Sequence, residues 1–213
     1  AAIDGGWKRP VYFANTVPDS YYLGLQPYMY TTGMAQEVIP VYNADQIKEA
    51  NTEKAYRNVM ERFRWGGLDA EDSGDVYLDE TVKRMLASTR NAMLSVASSL
   101  IAEGQSQKAL DVLMTMDTKL PMCVMPYGVQ VGDAVAYYMI SLGEQLANDQ
   151  AIERGEEILR QEIMTAVHYI PYIRSLTPAR RATLQASDRA MVEYGDYSYL
   201  FDLIVRYVYS VGA

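Results

Sequence analysis

The sequence predicts a mainly α-helical protein of stacked antiparallel helix hairpins, with a short irregular N-terminal segment that contains one β-strand. Apolar residues recur at spacings of three and four after residue 79, which places them on one stripe of a helix: Val82, Met85, Leu86, Met93, Val96, Ala97, Leu100 and Ile101. Gly104 ends that helix in a tight turn, and Pro121 closes the second helix, whose stripe is Ala109, Leu110, Leu113 and Met114. A hairpin cannot bury its apolar faces alone, so the rest of the chain is predicted to supply its neighbours.

Composition limits the class of protein. The chain has 213 residues, a net charge of -8, 49% apolar and 22% charged residues, which is typical of a globular domain with a sizeable core. The acidic balance argues against a nucleic-acid partner. No apolar run is long enough to span a bilayer. Cys123 is the one cysteine, so no disulfide within the chain is expected. Because the chain starts at Ala1 without Met or a basic leader, we expect a processed protein or part of a longer one.

The first 50 residues are predicted to be a separate segment, the remnant of an upstream domain. Residues 9–14 are β-branched and aromatic after Pro10 and predict a strand. Residues 21–25 predict a loop or a short helical turn, and residues 32–39 a short helix that ends before Pro40. A lone strand is marginal, so its partner strands are expected outside this sequence.

Residues 51–213 are predicted to form the helical domain. Asn51 or Thr52 caps a helix over residues 51–64, with an apolar stripe of Ala55, Val59 and Phe63. Residues 65–68 break it, an acidic loop follows over residues 69–75, and Asp79 caps the long helix described above.

Four more helices are predicted beyond the linker at residues 122–127. The first carries Val131, Ala134, Val135, Tyr138, Leu142 and Leu146, with Gly143 interrupting it or ending its first part. The second covers residues 152–173, its apolar face is Ile158, Leu159, Ile163, Val167 and Ile170, and Pro171 is expected to kink or end it. Thr177 and Pro178 predict the next helix start, continuing over residues 182–192. Asp196 is predicted to cap the last helix and to precede its buried residues Leu200, Leu203, Ile204 and Tyr207.

Residues 90–123 resemble one tetratricopeptide unit, a helix hairpin of fixed length. Ala97 and Leu100 fall in its first helix, Ala109 and Leu113 in its second. The next hairpin departs from the period, because Gly143 follows Gly104 by 143 − 104 = 39 residues. The pattern therefore predicts a tetratricopeptide-like stack and not a regular array.

Five motifs resemble the soluble C-terminal part of a bacterial family of multi-spanning membrane proteins, the protein O-mannosyltransferase-like glycosyltransferases. They are residues 7–14, residues 22–25 with Tyr28 and Gly33, residues 63–68, residues 76–80, and the hairpin over residues 97–121. The resemblance implies a membrane-embedded catalytic part upstream, so no catalytic residue of the family is carried onto this chain. It also implies a place at the periplasmic face of the inner membrane and, as partner, another protein or the membrane-embedded part itself.

The best candidate binding surface is a polar helix face. Asn91, Ser95, Ser98 and Ala102 form the stripe opposite the apolar one on the long helix, and Asp133, Tyr137 and Glu144 do the same on the next hairpin. In a tetratricopeptide-like stack such faces line a concave groove. A simply solvated face remains the alternative.

Other residues predict no site. His168, the only histidine, has no convergent partners and is expected to be structural or exposed. The acidic loop lacks the regular spacing of a calcium loop around its four carboxylates, Asp69, Glu71, Asp72 and Asp75. Trp65 is expected to anchor a structural turn, because the two glycines after it lack the Lys of a phosphate loop. Cys123 is expected to be a passive thiol. We therefore predict no catalytic residue, metal or cofactor.

Three functions remain open. The first is a non-catalytic docking module of a membrane glycosyltransferase-like protein. The second is a glycan-binding or peptide-binding protein whose 18 tyrosines include stacking platforms. A stand-alone enzyme is least supported, because no nucleophile or acid–base pair stands out.

Overall fold

The computed structural model describes residues 9–42, 51–68, 76–128, 131–187 and 197–211. The fold is mainly helical with a short N-terminal sheet, which confirms the predicted mainly α-helical class, while the tetratricopeptide-like stacking stays a prediction. The chain divides into two compact units, Ala1–Met125 and Pro126–Ala213, so the predicted domain boundary after residue 50 falls inside the first unit. No helix within the described ranges has the length and apolar character that crossing a bilayer needs.

The first unit begins with a three-stranded antiparallel sheet. Strand β3 (Ala35–Val38) lies between β1 (Val11–Ala14) and β2 (Met29–Thr31), with Val38 opposite both Val11 and Met29. Two expectations were therefore wrong: the partners of the first strand lie within this chain, and residues 35–38 form a strand instead of a helix. Gly33 explains this, because its φ of +110° turns the chain into a hairpin that no helix accommodates.

Helix α1 (Thr52–Arg57) follows and continues as a π-helical turn, Asn58–Arg62. The Asn51 side chain accepts a hydrogen bond from the Lys54 N–H at 3.2 Å, which confirms the predicted cap. Ala55 and Val59 are buried as predicted, and Phe63 is half-buried. An ideal Cβ built on Gly33 would lie 3.3 Å from Cζ of Phe63.

Polar contacts fasten α1 to the sheet. Lys54 Nζ lies 2.7 Å from Glu37 Oε1 and 2.7 Å from the Tyr12 hydroxyl, and Tyr12 and Glu37 are cross-strand neighbours. Asn58 Nδ2 donates to the Thr32 carbonyl at 2.8 Å. The sheet is thus held by α1 through the side chains of β1 and β3, and by the π-helical turn through the loop before β3.

Helices α2 (Glu80–Ala102) and α3 (Ser106–Lys119) form the predicted hairpin around Gly104, whose φ is +72°. Asp79 caps α2 by accepting from the Val82 N–H at 2.8 Å, as predicted. The hairpin is fastened to α1 by Lys108, which pairs with Glu53 at 2.7 Å, and by the Tyr56 hydroxyl, which donates to Asp111 at 3.1 Å. The predicted stripe is buried in its later part: Met93, Val96, Ala97, Leu100, Ala109, Leu110 and Leu113.

The first turns of α2 depart from the prediction. Val82 and Met85 are 37% and 59% exposed, although the periodicity placed them on the buried stripe. Helix α2 has 23 residues and α3 has 14, so the first 23 − 14 = 9 residues of α2 have no counterpart on α3. At about 1.5 Å per residue, α2 extends roughly 13 Å beyond its hairpin partner.

The second unit is built on the helices α4 (Val131–Leu146) and α5 (Asp149–Ser175). Two predicted helix breakers lie inside these helices. Gly143 neither interrupts nor ends α4. An ideal Cβ on Gly143 would lie 2.7 Å from Cγ1 of Ile152, so the glycine allows the close approach of α5 at this position. Pro171 does not end α5, which continues to Ser175. Pro171 is exposed, so the carbonyl that it leaves without a donor is close to water.

Helices α6 (Pro178–Ser187) and α7 (Tyr197–Val211) follow. Thr177 accepts from the Arg180 N–H at 3.4 Å, which confirms the predicted start of α6. The predicted extension of α6 to residue 192 and the Asp196 cap lie outside the described residues.

Burial in this unit follows the predicted stripes with two exceptions. Predicted positions that are buried include Val135, Leu142, Ile158, Leu159, Ile170 and Leu203. Val167 and Ile204 were wrongly predicted as buried and are 45% and 41% exposed. On α7 the residues Phe201, Ile204 and Val208 share the face opposite Leu203, so α7 is apolar on both sides and only the Leu203 side is covered.

We expect Gly155→Ala to destabilise the second unit although Ala favours helices by about 1 kcal/mol. An added Cβ would lie 2.9 Å from the Ala136 carbonyl oxygen, which is backbone and cannot rotate away. Overpacking of this kind costs about 1–3 kcal/mol, so a net loss of about 1 kcal/mol is expected in urea unfolding. Glu153→Ala, an exposed position on the same helix, is the control and should change stability by less than about 0.5 kcal/mol. A stabilised Gly155→Ala variant would show that the two helices separate freely.

Candidate functional site

An open pocket of about 320 Å³ lies on the second unit, over α4, α5 and α7. Its lining residues are Tyr137, Ile140, Ser141, Glu144, Leu159, Arg206 and Tyr209. The α4 residues follow a spacing of three and four, so they form one stripe about two turns long. Arg206 and Tyr209 are three apart on α7 and share its pocket-facing side.

The two pocket walls are parallel helices that rest on α5. Gly143 meets Ile152 and Gly155 meets Ile140, so residue numbers rise along α4 as they fall along α5. Helix α7 also runs antiparallel to α5. Ala166 packs with Tyr199 and Leu200, and Arg160 donates to the Tyr207 hydroxyl at 3.1 Å. Helices α4 and α7 therefore point the same way. Arg206 lies at the end near Tyr137, and Tyr209 lies one turn further towards Glu144.

An ion pair lies at one end of the pocket. Arg206 Nη1 lies 3.1 Å from Asp133 Oδ1, and the guanidinium lies 5.9 Å from the centre of the Tyr137 ring. The Asp133 oxygen is buried and accepts no hydrogen bond of good geometry from the described residues, so this contact is an ion pair without a well-formed hydrogen bond. Burial raises the pKa of Asp133, the nearby Arg206 lowers it in part, and Asp202 adds to the rise.

A second acid supports the start of α4. Glu162 of α5 is 1% exposed, and an ideal Cβ on Gly132 would lie 2.8 Å from its Oε1 atom. Gly132 lies in the first turn of α4, where the helix dipole favours a negative charge. A glycine is needed there because any larger residue would occupy the space of the Glu162 carboxyl group.

The rest of the pocket lining offers open polar and aromatic groups. The Tyr137 and Tyr209 side chains are 54% and 77% exposed. Ser141 and Glu144 are also exposed, and within the described residues their side chains form no hydrogen bond or ion pair. Ile140 and Leu159 supply an apolar floor. Aromatic rings, an apolar floor and a few converging polar groups are the usual features of a ligand-binding site.

The predicted site residues are distributed over both units. Tyr137 and Glu144 line the pocket, and Asp133 pairs with Arg206 beside it. The second set lies on α2 in the first unit. There Asn91, Ser98 and Ala102 are exposed and Ser95 is half-buried. The single groove predicted from both sets stays a prediction.

Besides the apolar floor, three polar or aromatic residues of the pocket lining were missed by the sequence reasoning: Ser141, Arg206 and Tyr209. Ser141 lies four residues after Tyr137 on the polar stripe and could have been found from that spacing. Arg206 is a cation within the apolar segment that forms α7, which is a signal for a paired or functional charge. Its link to α4 is a tertiary contact that no local pattern contains.

The residues for which the sequence predicted no functional role lie outside the pocket or outside the described residues. His168 and Cys123 are exposed. Trp65 is half-buried with its ring centre 5.7 Å from that of Phe63, and both line a pocket of about 300 Å³ in the first unit together with Met34, Leu86 and Leu120. The acidic loop lies outside the described residues. Among those that are described, no group of three or more His, Cys, Asp or Glu residues is placed to hold a metal ion.

Comparison with known proteins gives one family match. Residues 1–56 match the family model described as TMEM260-associated domain 2. The match covers 56 of 213 residues, about a quarter of the chain, and includes the sheet and the first turn of α1 with its Tyr12–Glu37–Lys54 contacts. No curated protein and no solved structure matches the chain significantly. The pocket lies beyond the matched residues.

We expect the difference between the free energies of unfolding, wild type minus Asp133→Asn, to fall as the pH rises through the acidic range. The folded state raises the pKa of Asp133, so it binds more protons than the unfolded state, and this contribution is present at low pH and lost as Asp133 ionises. The group is partly exposed, so the change should be modest. Urea unfolding of both proteins between about pH 3 and 7 measures it. A difference that grows with pH would mean that Arg206 lowers the pKa more than burial raises it.

Proposed function

We propose that this chain is a non-catalytic binding module of a membrane glycosyltransferase-like protein, and that the pocket over α4, α5 and α7 is its ligand site. The observation that carries the proposal is the convergence of Tyr137, Ser141, Glu144, Arg206 and Tyr209 on one apolar floor. A solvated face would not need two aromatic side chains and three polar ones beside a depression of this size.

The context of the module rests on its N-terminal part. The match of residues 1–56 to TMEM260-associated domain 2 supports the resemblance of this chain to part of a membrane protein. The two parallel helices α4 and α7 with α5 behind them also suit the proposed tetratricopeptide-like arrangement, in which alternate helices line a groove and the others support it. The ligand favoured by this arrangement is a segment of protein, either another chain or the membrane-embedded part of the parent.

Co-purification tests the docking function. The reading frame upstream should encode several apolar spans, and the encoded part and this chain are produced as separate polypeptides. We expect them to co-purify in detergent and Tyr137→Ala to weaken binding about tenfold, as loss of an aromatic anchor does.

Tyr172→Ala is the matched control, since Tyr172 is 52% exposed on α5 and lies outside the pocket. Equal binding by both variants would place the interaction elsewhere. Transfer of a sugar from an activated donor by the purified chain alone would contradict a non-catalytic module.

Glycan binding is the second candidate, and the tyrosine pair favours it. Tyr137 and Tyr209 line the same open pocket, where aromatic rings can stack on the apolar face of a sugar ring and Glu144 and Arg206 can bind its hydroxyls. A glycan array probed with the wild type and with Tyr137→Ala and Tyr209→Ala tests it. A signal lost in both variants supports the candidate, and no signal above background for the wild type contradicts it.

A further inference from the structure

We propose that the occupant of the α4–α7 pocket is a protein segment that inserts a basic side chain, lysine or arginine, between Tyr209 and Glu144. The inference rests on the proposed binding function of this pocket and adds the chemistry of the partner. It follows from the balance of charge in the pocket, the shape of its floor and the direction of its two walls.

The charge balance leaves one carboxylate open. Arg206 and Asp133 are within 3.1 Å of each other and neutralise one another, with Tyr137 covering the guanidinium. Glu144 is exposed and makes no ion pair with the described residues, so it is the acidic residue of the pocket lining that is open to a ligand cation. The whole chain has a net charge of -8, which attracts a basic segment from a distance and repels an acidic one.

The position of Glu144 separates it from the cation already present. Tyr137 and Glu144 are seven residues apart on α4, about 10 Å along the helix. Arg206 lies at the Tyr137 end, while Tyr209 lies one turn further along α7 in the direction of Glu144. A ligand cation beside Glu144 therefore gains the attraction of that carboxylate at a distance from Arg206.

The remaining lining residues suit a long basic side chain. Ile140 and Leu159 form an apolar floor on which a methylene stem can lie, while the charged head stays near water. The Tyr209 ring is 77% exposed and engages no cation among the described residues, so its face is available for a cation–π contact. An aromatic ring beside a carboxylate is a recognition mode for ammonium groups.

NMR titration of the full chain with matched peptides tests the inference. The probes are short Gly-Ser peptides whose central residue is lysine, acetyl-lysine or glutamate, and the reporters are the ring signals of Tyr137 and Tyr209. We expect the lysine peptide to shift both signals and to bind at least about fivefold more tightly than the acetyl-lysine peptide, because acetylation removes the charge and keeps the length. The glutamate peptide should leave both signals unchanged.

Two variants with the same change in net charge locate the contact. Glu144→Gln should weaken the lysine peptide about threefold, whereas Glu153→Gln, an exposed position on α5 outside the pocket, should not change its affinity. Equal effects of the two variants would reduce the interaction to general charge attraction and overturn the inference. So would equal affinity for lysine and acetyl-lysine, or no shift by lysine at about 1 mM peptide.

The same titration separates this inference from the proposed function. Pocket signals that shift with a neutral oligosaccharide or with the acetyl-lysine peptide, but not specifically with lysine, would retain a ligand site and reject a basic partner. Co-purification that depends on Tyr137 but not on Glu144 would likewise retain a ligand site and reject a basic partner.

Discussion

The close approach of α4 and α5 is the constraint on which the second unit depends. Gly143 and Gly155 lie where the helices meet, and a side chain at either position would come within 2.7 Å of an isoleucine on the other helix. With one face of α4 fixed against α5 in this way, its opposite stripe of Tyr137, Ser141 and Glu144 is turned outward. Helix α5 then also provides the floor at Leu159 and the surface on which α7 packs through Tyr199 and Leu200. The pocket is a consequence of this spacing more than of any one of its lining residues.

In the first unit, a small sheet is attached to a helical hairpin through α1. A three-stranded sheet of this size buries few side chains, with Tyr22, Met29 and Val38 as its core. The attachment is therefore largely polar: Lys54 binds the sheet through Glu37 and Tyr12, and α1 in turn binds α3 through charged and hydroxyl groups. Burial raises the pKa of Tyr56, and its hydrogen bond to Asp111 raises it further, so this contact persists at neutral pH. These contacts connect the residues matched by the family model to the helices that follow.

Local signals in the sequence gave correct elements, and tertiary contacts explain what they missed. The caps at Asn51 and Asp79 and the turn at Gly104 depend on residues only a few positions apart, so they could be predicted. The register of β3 depends on pairing across the sheet, and its residues Ala35, Gln36 and Glu37 have little intrinsic strand preference. Gly143 was predicted to break the helix because the apolar pattern of α4 does not show that α5 packs against it at this position. For the same reason Tyr137 and Glu144 could be proposed from one helix, whereas Arg206 and Tyr209 required knowledge of which helix lies beside it.

The π-helical turn at Asn58–Arg62 sets the direction in which Phe63 leaves the helix. Its closing hydrogen bond runs from the Phe63 N–H to the Asn58 carbonyl at 3.0 Å, five residues back instead of four, so the turn holds one residue more than an α-helix would. Removing that residue would restore ordinary winding and rotate Phe63 by about 100° away from Gly33. The contact between Gly33 and Phe63 therefore depends on the number of residues between Asn58 and Phe63. A one-residue deletion in that turn would separate the two residues although neither is changed.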